Sequence, residues 1–177
     1  MTARIPRALD AVYLGCIWVA GASIFLMSLI IPWGIFARYV LGTGSQWPEP
    51  IAILLMVVFT FVGAAASYRA GAHIAVALLT DRLPRALRMP LGVLVHLLML
   101  AACVFMLVWG SKLCVQTWNQ TISELPWLPV GVTYSPVPIG GALTLLFVLE
   151  HLLLGSQAER AVVRYDRQLE EAAAEAP

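Results

Sequence analysis

Charge is what this 177-residue sequence has least of. Asp, Glu, Lys and Arg together make up 12% of it, roughly half the ~25% of a soluble domain, while apolar residues reach 60%. So little charge cannot cover a folded surface in water, which places the chain in a membrane. The net charge of +1 carries no nucleic-acid signal. Cysteine is scarce as well. Cys16, Cys103 and Cys114 are odd in number and scattered, without a C-x-x-C pair, so they read as small apolar fillers and not as a redox relay. H-E-x-x-H, G-x-S-x-G and paired intramembrane acids are all missing, which speaks against an enzyme and leads us to expect no metal and no cofactor.

What the sequence does have is four long apolar runs, at roughly 11–37, 51–68, 89–111 and 128–149. Each is near or above the ~20 residues a helix needs to cross the hydrocarbon core. Pro136 and Pro138 would disturb a helix interior, so the fourth regular span is expected to begin near Pro136. Part of 128–135 then becomes a re-entrant or interfacial segment. The expected fold is an all-α integral membrane protein forming one domain over 1–177. Its spans fall at about 11–37, 51–68, 89–111 and 136–155, and 156–177 forms a tail.

Basic residues alternate between the gaps. Arg4, Arg7, Arg69, Arg82, Arg85, Arg88, Arg160, Arg164 and Arg167 fall on one side, against Arg38 and Lys112 on the other. This positive-inside bias, with an even number of spans, puts both termini in the cytoplasm. Trp33, Trp47, Trp109, Trp118 and Trp127 fall near the opposite interface, as an aromatic belt would. Arg4 and Arg7 ahead of an apolar run imitate a signal peptide, but the run exceeds a typical h-region and is expected to stay. Asn119-Gln120-Thr121 matches a glycosylation sequon and reads as chance. The stretch 157–175, alanine-rich with mixed charge, reads as a helix leaving the membrane.

The two kinds of connection differ. The outer gap after span one is a tight hairpin, turned by Gly42-Thr43-Gly44-Ser45 and followed by Trp47-Pro48-Glu49-Pro50, with prolines suited to a first helical turn. Arg38 and Glu49 flank this hairpin and are placed either to bridge spans one and two or to face headgroups separately. The inner gap from Arg69 to Arg88 interleaves leucines with Arg82, Arg85 and Arg88, as an interfacial amphipathic segment between spans two and three would, with Pro84 dividing it. An ordinary loop with leucines tucked under the helices is the other reading.

Two features inside the spans invite a function. Gly63-Ala64-Ala65-Ala66-Ser67 closes span two with small residues, allowing close approach by another span or by a second subunit. His96 and His151 could ligate a haem from facing helices. Yet His96 lies about eight residues, roughly 12 Å of helix, beyond Arg88, whereas His151 sits at an interfacial helix end, so their depths are not expected to match. A haem- or quinone-binding membrane subunit and a self-contained small tetraspan protein stand as alternatives. With so few ionisable groups in its spans, the chain is expected to support a transport path and not to contain one.

Arg38-Tyr39-Val40-Leu41-Gly42, then Trp47-Pro48-Glu49, then Arg69-Ala70-Gly71-Ala72-His73-Ile74-Ala75-Val76 resemble the small, DctQ-like membrane subunit of tripartite ATP-independent periplasmic (TRAP) transporters. Trp127-Leu128-Pro129 and Tyr134 with Pro138-Ile139-Gly140 extend the resemblance over most of the chain. Pro50, Ile53 and Ala77 depart from it, standing where that family commonly has an acid, a base and an acid. The resemblance implies a non-catalytic small permease subunit in the bacterial inner membrane, belonging to a sodium-driven importer of organic acids. Its implied partners are a large membrane subunit, a periplasmic substrate-binding protein and membrane phospholipids. Arg38, Trp47, Glu49, Arg69, Gly71 and His73 would then serve structure or the partner interface, and Arg82, Arg85 and Arg88 would face lipid headgroups.

Overall fold

The computed structural model describes residues 4–44, 46–70 and 85–154, with side chains described for these except 4–6, 85–92 and 154. Four helices in it are long and apolar enough to cross a membrane. Helix α1 runs Arg4–Tyr39, α2 Pro48–Arg69 and α3 Arg85–Gln116. Strands β1 (Thr121–Ile122) and β2 (Leu125–Pro129) follow, then a short helix α4 (Val130–Tyr134) and the last spanning helix α5 (Pro136–Leu154).

The sequence physics of each helix is uniform. None has a polar side, because lipid or another helix meets every face. Hydroxyls inside the spans are satisfied locally. Ser23, Ser28, Thr60 and Thr144 each donate to the carbonyl four residues back, at 2.7–2.9 Å. The hydroxyl protons are thereby given to their own helices. The α1–α2 turn is built by Gly42, whose φ of +60° lies in the left-handed region glycine tolerates. Thr43 then donates its amide and hydroxyl to the Ala37 carbonyl at 3.2 and 3.0 Å, closing the last turn of α1.

The helices stand in a row. The main packing is α1 on α2, α2 on α5 and α5 on α3, so α1 and α3 form opposite ends and share no substantial contact among the described residues. Adjacent glycines make the middle of the row close-packed. A Cβ on Gly140 would come within 2.6 Å of the Phe61 side chain and 3.0 Å of its carbonyl oxygen on α2. One on Gly141 would meet the Met106 Cβ of α3 at 3.1 Å. Two neighbouring positions on α5 therefore bring its backbone against both flanking helices. The small-residue run of α2 serves the same end within this chain. Ala65 and Ala66 are buried in one cluster with Tyr13 and Cys16 of α1 and Phe147 of α5.

Helix α1 extends past the expected span 11–37 at both ends, and α3 contains all of the expected 89–111. The stretch 128–135, expected in part to be re-entrant or interfacial, has a defined local structure. It is the end of a small antiparallel hairpin, with Ile122 opposite Leu125, followed by the single turn of α4. The expected interfacial segment lies largely outside the described residues; Arg85 and Arg88 belong to the first turn of α3 by their backbone.

Candidate functional site

Three helices converge on Arg69 at the end of the bundle away from the Gly42 turn. It ends α2, where a cation complements the helix dipole. Its guanidinium donates Nε to Glu150 Oε2 and Nη2 to Glu150 Oε1, both at 2.7 Å, and Nη2 also to Asp10 Oδ1 at 2.7 Å. The side chains of Arg69 and Glu150 are each 1% exposed. One arginine thus fastens α1, α2 and α5 with a two-pronged fork to one carboxylate and a third bond to another. Tyr13 and Phe147 hold the guanidinium between their rings, with centroids 5.2 and 5.5 Å from Cζ. Only Nη1 has no hydrogen-bond partner among the described residues.

Charges this deep are expensive unless paired. Removing one partner of a buried pair typically costs about 3–5 kcal/mol, because the other charge is left stranded. The cluster is therefore a structural clasp. Its buried charges are engaged with each other.

Beside it stand the two histidines. The rings of His96 on α3 and His151 on α5 are stacked, with centroids 4.8 Å apart and planes at 24°. Tyr68 of α2 meets His151 edge-on at 6.4 Å. This corrects the expected mismatch in depth. Rings in contact lie at one level of the bundle, so the eight residues between Arg88 and His96 do not separate the two histidines in depth. Stacked imidazoles turn their faces to one another, whereas two ligands of one haem iron must point ring nitrogens at a common centre. The observed pair is thus arranged to join α3 to α5. Among the described residues no three His, Cys, Asp or Glu side chains gather as a metal site would require.

At the opposite end of the bundle, Arg38 Nη2 and Glu49 Oε2 lie 3.8 Å apart with side chains 49% and 72% exposed. That is an ion pair without a hydrogen bond, worth little by itself. Trp47 precedes α2 without capping it through its side chain. Lys112 lies over the Trp109 ring at 4.8 Å. Gly71, His73 and Arg82 fall outside the described residues, and so do the side chains of Arg85 and Arg88. The structure therefore brings Arg69 together with two acids, Asp10 and Glu150, that were not singled out in the sequence. Their signal was available: an acid and a base on the same side of a membrane protein seek each other.

Known proteins share this architecture of sequence. Residues 27–158 match the family of tripartite ATP-independent periplasmic transporters, DctQ component. That stretch includes Arg38, Glu49, Arg69 and Glu150, but not Asp10. A protein of Haemophilus influenzae described as a TRAP transporter small permease is 26% identical over 128 residues, covering 72% of this chain and 79% of that one. The sialic acid TRAP transporter small permease protein SiaQ of Vibrio cholerae is also 26% identical, over 151 residues, covering 80% of this chain and 84% of its own. With four spanning helices and three quarters of its length matched, this multi-pass inner-membrane chain belongs to the DctQ component family of TRAP transporters.

Proposed function

We propose that this chain is the non-catalytic small permease subunit of a sodium-driven TRAP transporter that imports organic acids, and that it braces the large membrane subunit in the bilayer. The observation that carries the reading is the Asp10–Arg69–Glu150 clasp. The buried charges of the described spans are committed to holding helices together, as suits a rigid scaffold and not a moving carrier. The row of helices adds to this, since it presents broad apolar faces on which a larger partner can dock. That one relative's name specifies sialic acid, a carboxylic acid, favours an acidic cargo.

In this reading both termini are cytoplasmic, and a periplasmic binding protein delivers the solute from the other side. Arg38, Trp47 and Glu49 serve the outer end of the assembly, and Gly71 and His73 the inner end, next to the clasp. Arg82, Arg85 and Arg88 lie among headgroups, with each charge near an anionic surface worth roughly 1 kcal/mol. The test is reconstitution. Liposomes holding this chain alone should show no sodium-dependent uptake of a carboxylate supplied with its binding protein, and uptake should appear when the large subunit is added. Uptake by the chain alone would overturn the proposal. Reversing Arg82, Arg85 and Arg88 to Glu in a correctly inserted complex should lower the transport rate while leaving capture by the binding protein intact. Full uptake would remove the bracing role from that segment.

A further inference from the structure

Between the outer halves of α1 and α2 runs a groove of about 340 Å³. Met27, Ile31 and Ile35 wall it from α1, and Ala52, Ile53 and Met56 from α2, with Arg38 and Glu49 at its mouth. Its walls are apolar and its rim carries one charge of each sign. Gly34 lies against Pro48 so closely that a Cβ would come within 2.8 Å, which fixes the two helices at that point. The groove is thus a feature of the helix pair and not a loose fit between movable side chains.

We propose that this groove binds one amine-bearing phospholipid, with an acyl chain along the apolar walls, the phosphate against Arg38 and the ammonium against Glu49. The rim is suited to that headgroup and to few others. At 3.8 Å the two side chains do not hydrogen-bond, and both are largely exposed, so each retains donor or acceptor capacity for a third group. Guanidinium and phosphate form strong, charge-assisted hydrogen bonds. A purely anionic headgroup would gain Arg38 but meet repulsion from Glu49. A protein helix would have to bring an acid and a base side by side at the same depth, whereas phosphatidylethanolamine carries both within one headgroup. The ring anchors also fit, because Trp33 on α1 and Trp47 just before α2 are both exposed beside the groove, as tryptophans at a headgroup level are. Placement in the outer leaflet follows from the proposed orientation; binding to the groove does not depend on it.

The experiment is native mass spectrometry of the full chain extracted from vesicles of equal parts phosphatidylethanolamine and phosphatidylglycerol. The chain should retain one phosphatidylethanolamine and little phosphatidylglycerol. Arg38→Gln and Glu49→Gln should each lower the retained fraction about tenfold, the scale of one lost hydrogen bond to a charged group. Ile53→Trp, which fills the groove and leaves both charges in place, should abolish the adduct while the thermal unfolding midpoint in detergent stays near that of the parent chain. Equal retention of the two lipids, or an adduct undiminished in all three variants, would overturn the proposal. So would capture of the large subunit, in native membranes, by a cross-linker placed on Ile53→Cys, because the groove would then be a protein interface.

Discussion

Arg69 and Glu150, 81 positions apart in the sequence, meet through two hydrogen bonds of 2.7 Å with both side chains shut away from solvent. The same guanidinium reaches Asp10, so a single residue at the end of α2 ties that helix to both α1 and α5. In a row of apolar helices, whose packing leaves sliding cheap, such a polar clasp fixes register.

Breaking the clasp from one side should therefore be worse than removing it. Glu150→Gln and Arg69→Met should each destabilise the chain by about 3–5 kcal/mol, and the combined Arg69→Met, Glu150→Met, Asp10→Asn variant by clearly less. Asp10→Asn alone should be the mildest single change, since its side chain is 18% exposed and water can reach it. Chemical unfolding in detergent measures the order, and equal losses in single and combined variants would contradict it.

Gly140→Ala should push α5 off α2, because the new methyl would sit within 3.1 Å of three atoms of Phe61, two of them backbone. A cost of about 1–3 kcal/mol follows from overpacking. Gly141→Ala meets the Met106 side chain and the Cys103 carbonyl at longer range and should cost less. Comparing thermal midpoints of the two variants checks the ranking.

The stacked pair of His96 and His151 should behave as packing. The purified chain is expected to lack a Soret band, and His96→Gln or His151→Gln should leave its absorbance unchanged. Cysteines placed at both positions in a cysteine-free background should be joined by a short bifunctional thiol reagent, linking α3 to α5 as the 4.8 Å ring separation requires. A stoichiometric Soret band lost in either variant would reverse this assignment.

Orientation can be read from two single-cysteine variants lacking Cys16, Cys103 and Cys114. Thr80→Cys should react with an impermeant thiol reagent only from the cytoplasmic side, and Thr43→Cys only from the outside. The opposite pattern would invert the assembly, including the leaflet assigned to the groove beside Arg38.

Span number was legible in the sequence because a bilayer imposes a length and a hydropathy that no soluble fold shares. The start of α5 at Pro136 followed from proline chemistry in the same way. The clasp was not legible, since Arg69, Asp10 and Glu150 belong to three different helices and nothing local says which helix neighbours which. The order of the row depends on backbone approaches at Gly140 and Gly141, whose partners Phe61 and Met106 are equally remote in sequence. The match in depth of His96 and His151 was not legible, because a residue count from Arg88 does not say how far α3 is shifted along α5. The hairpin of β1 and β2 was not legible because its strands are two and five residues long and hold Pro126 and Pro129. Its one sequence signal was the pair Ile122 and Leu125 about Ser123-Glu124.

The most direct test of the whole account is the native mass of what is isolated when the tagged chain is expressed from its own genomic context and extracted in mild detergent. A defined complex with one much larger polytopic protein is predicted, dissociating only under conditions that also unfold the chain or strip its lipid. Isolation of this chain as a stable monomer or homo-oligomer, with no larger membrane partner under any mild condition, would contradict its assignment as a bracing subunit.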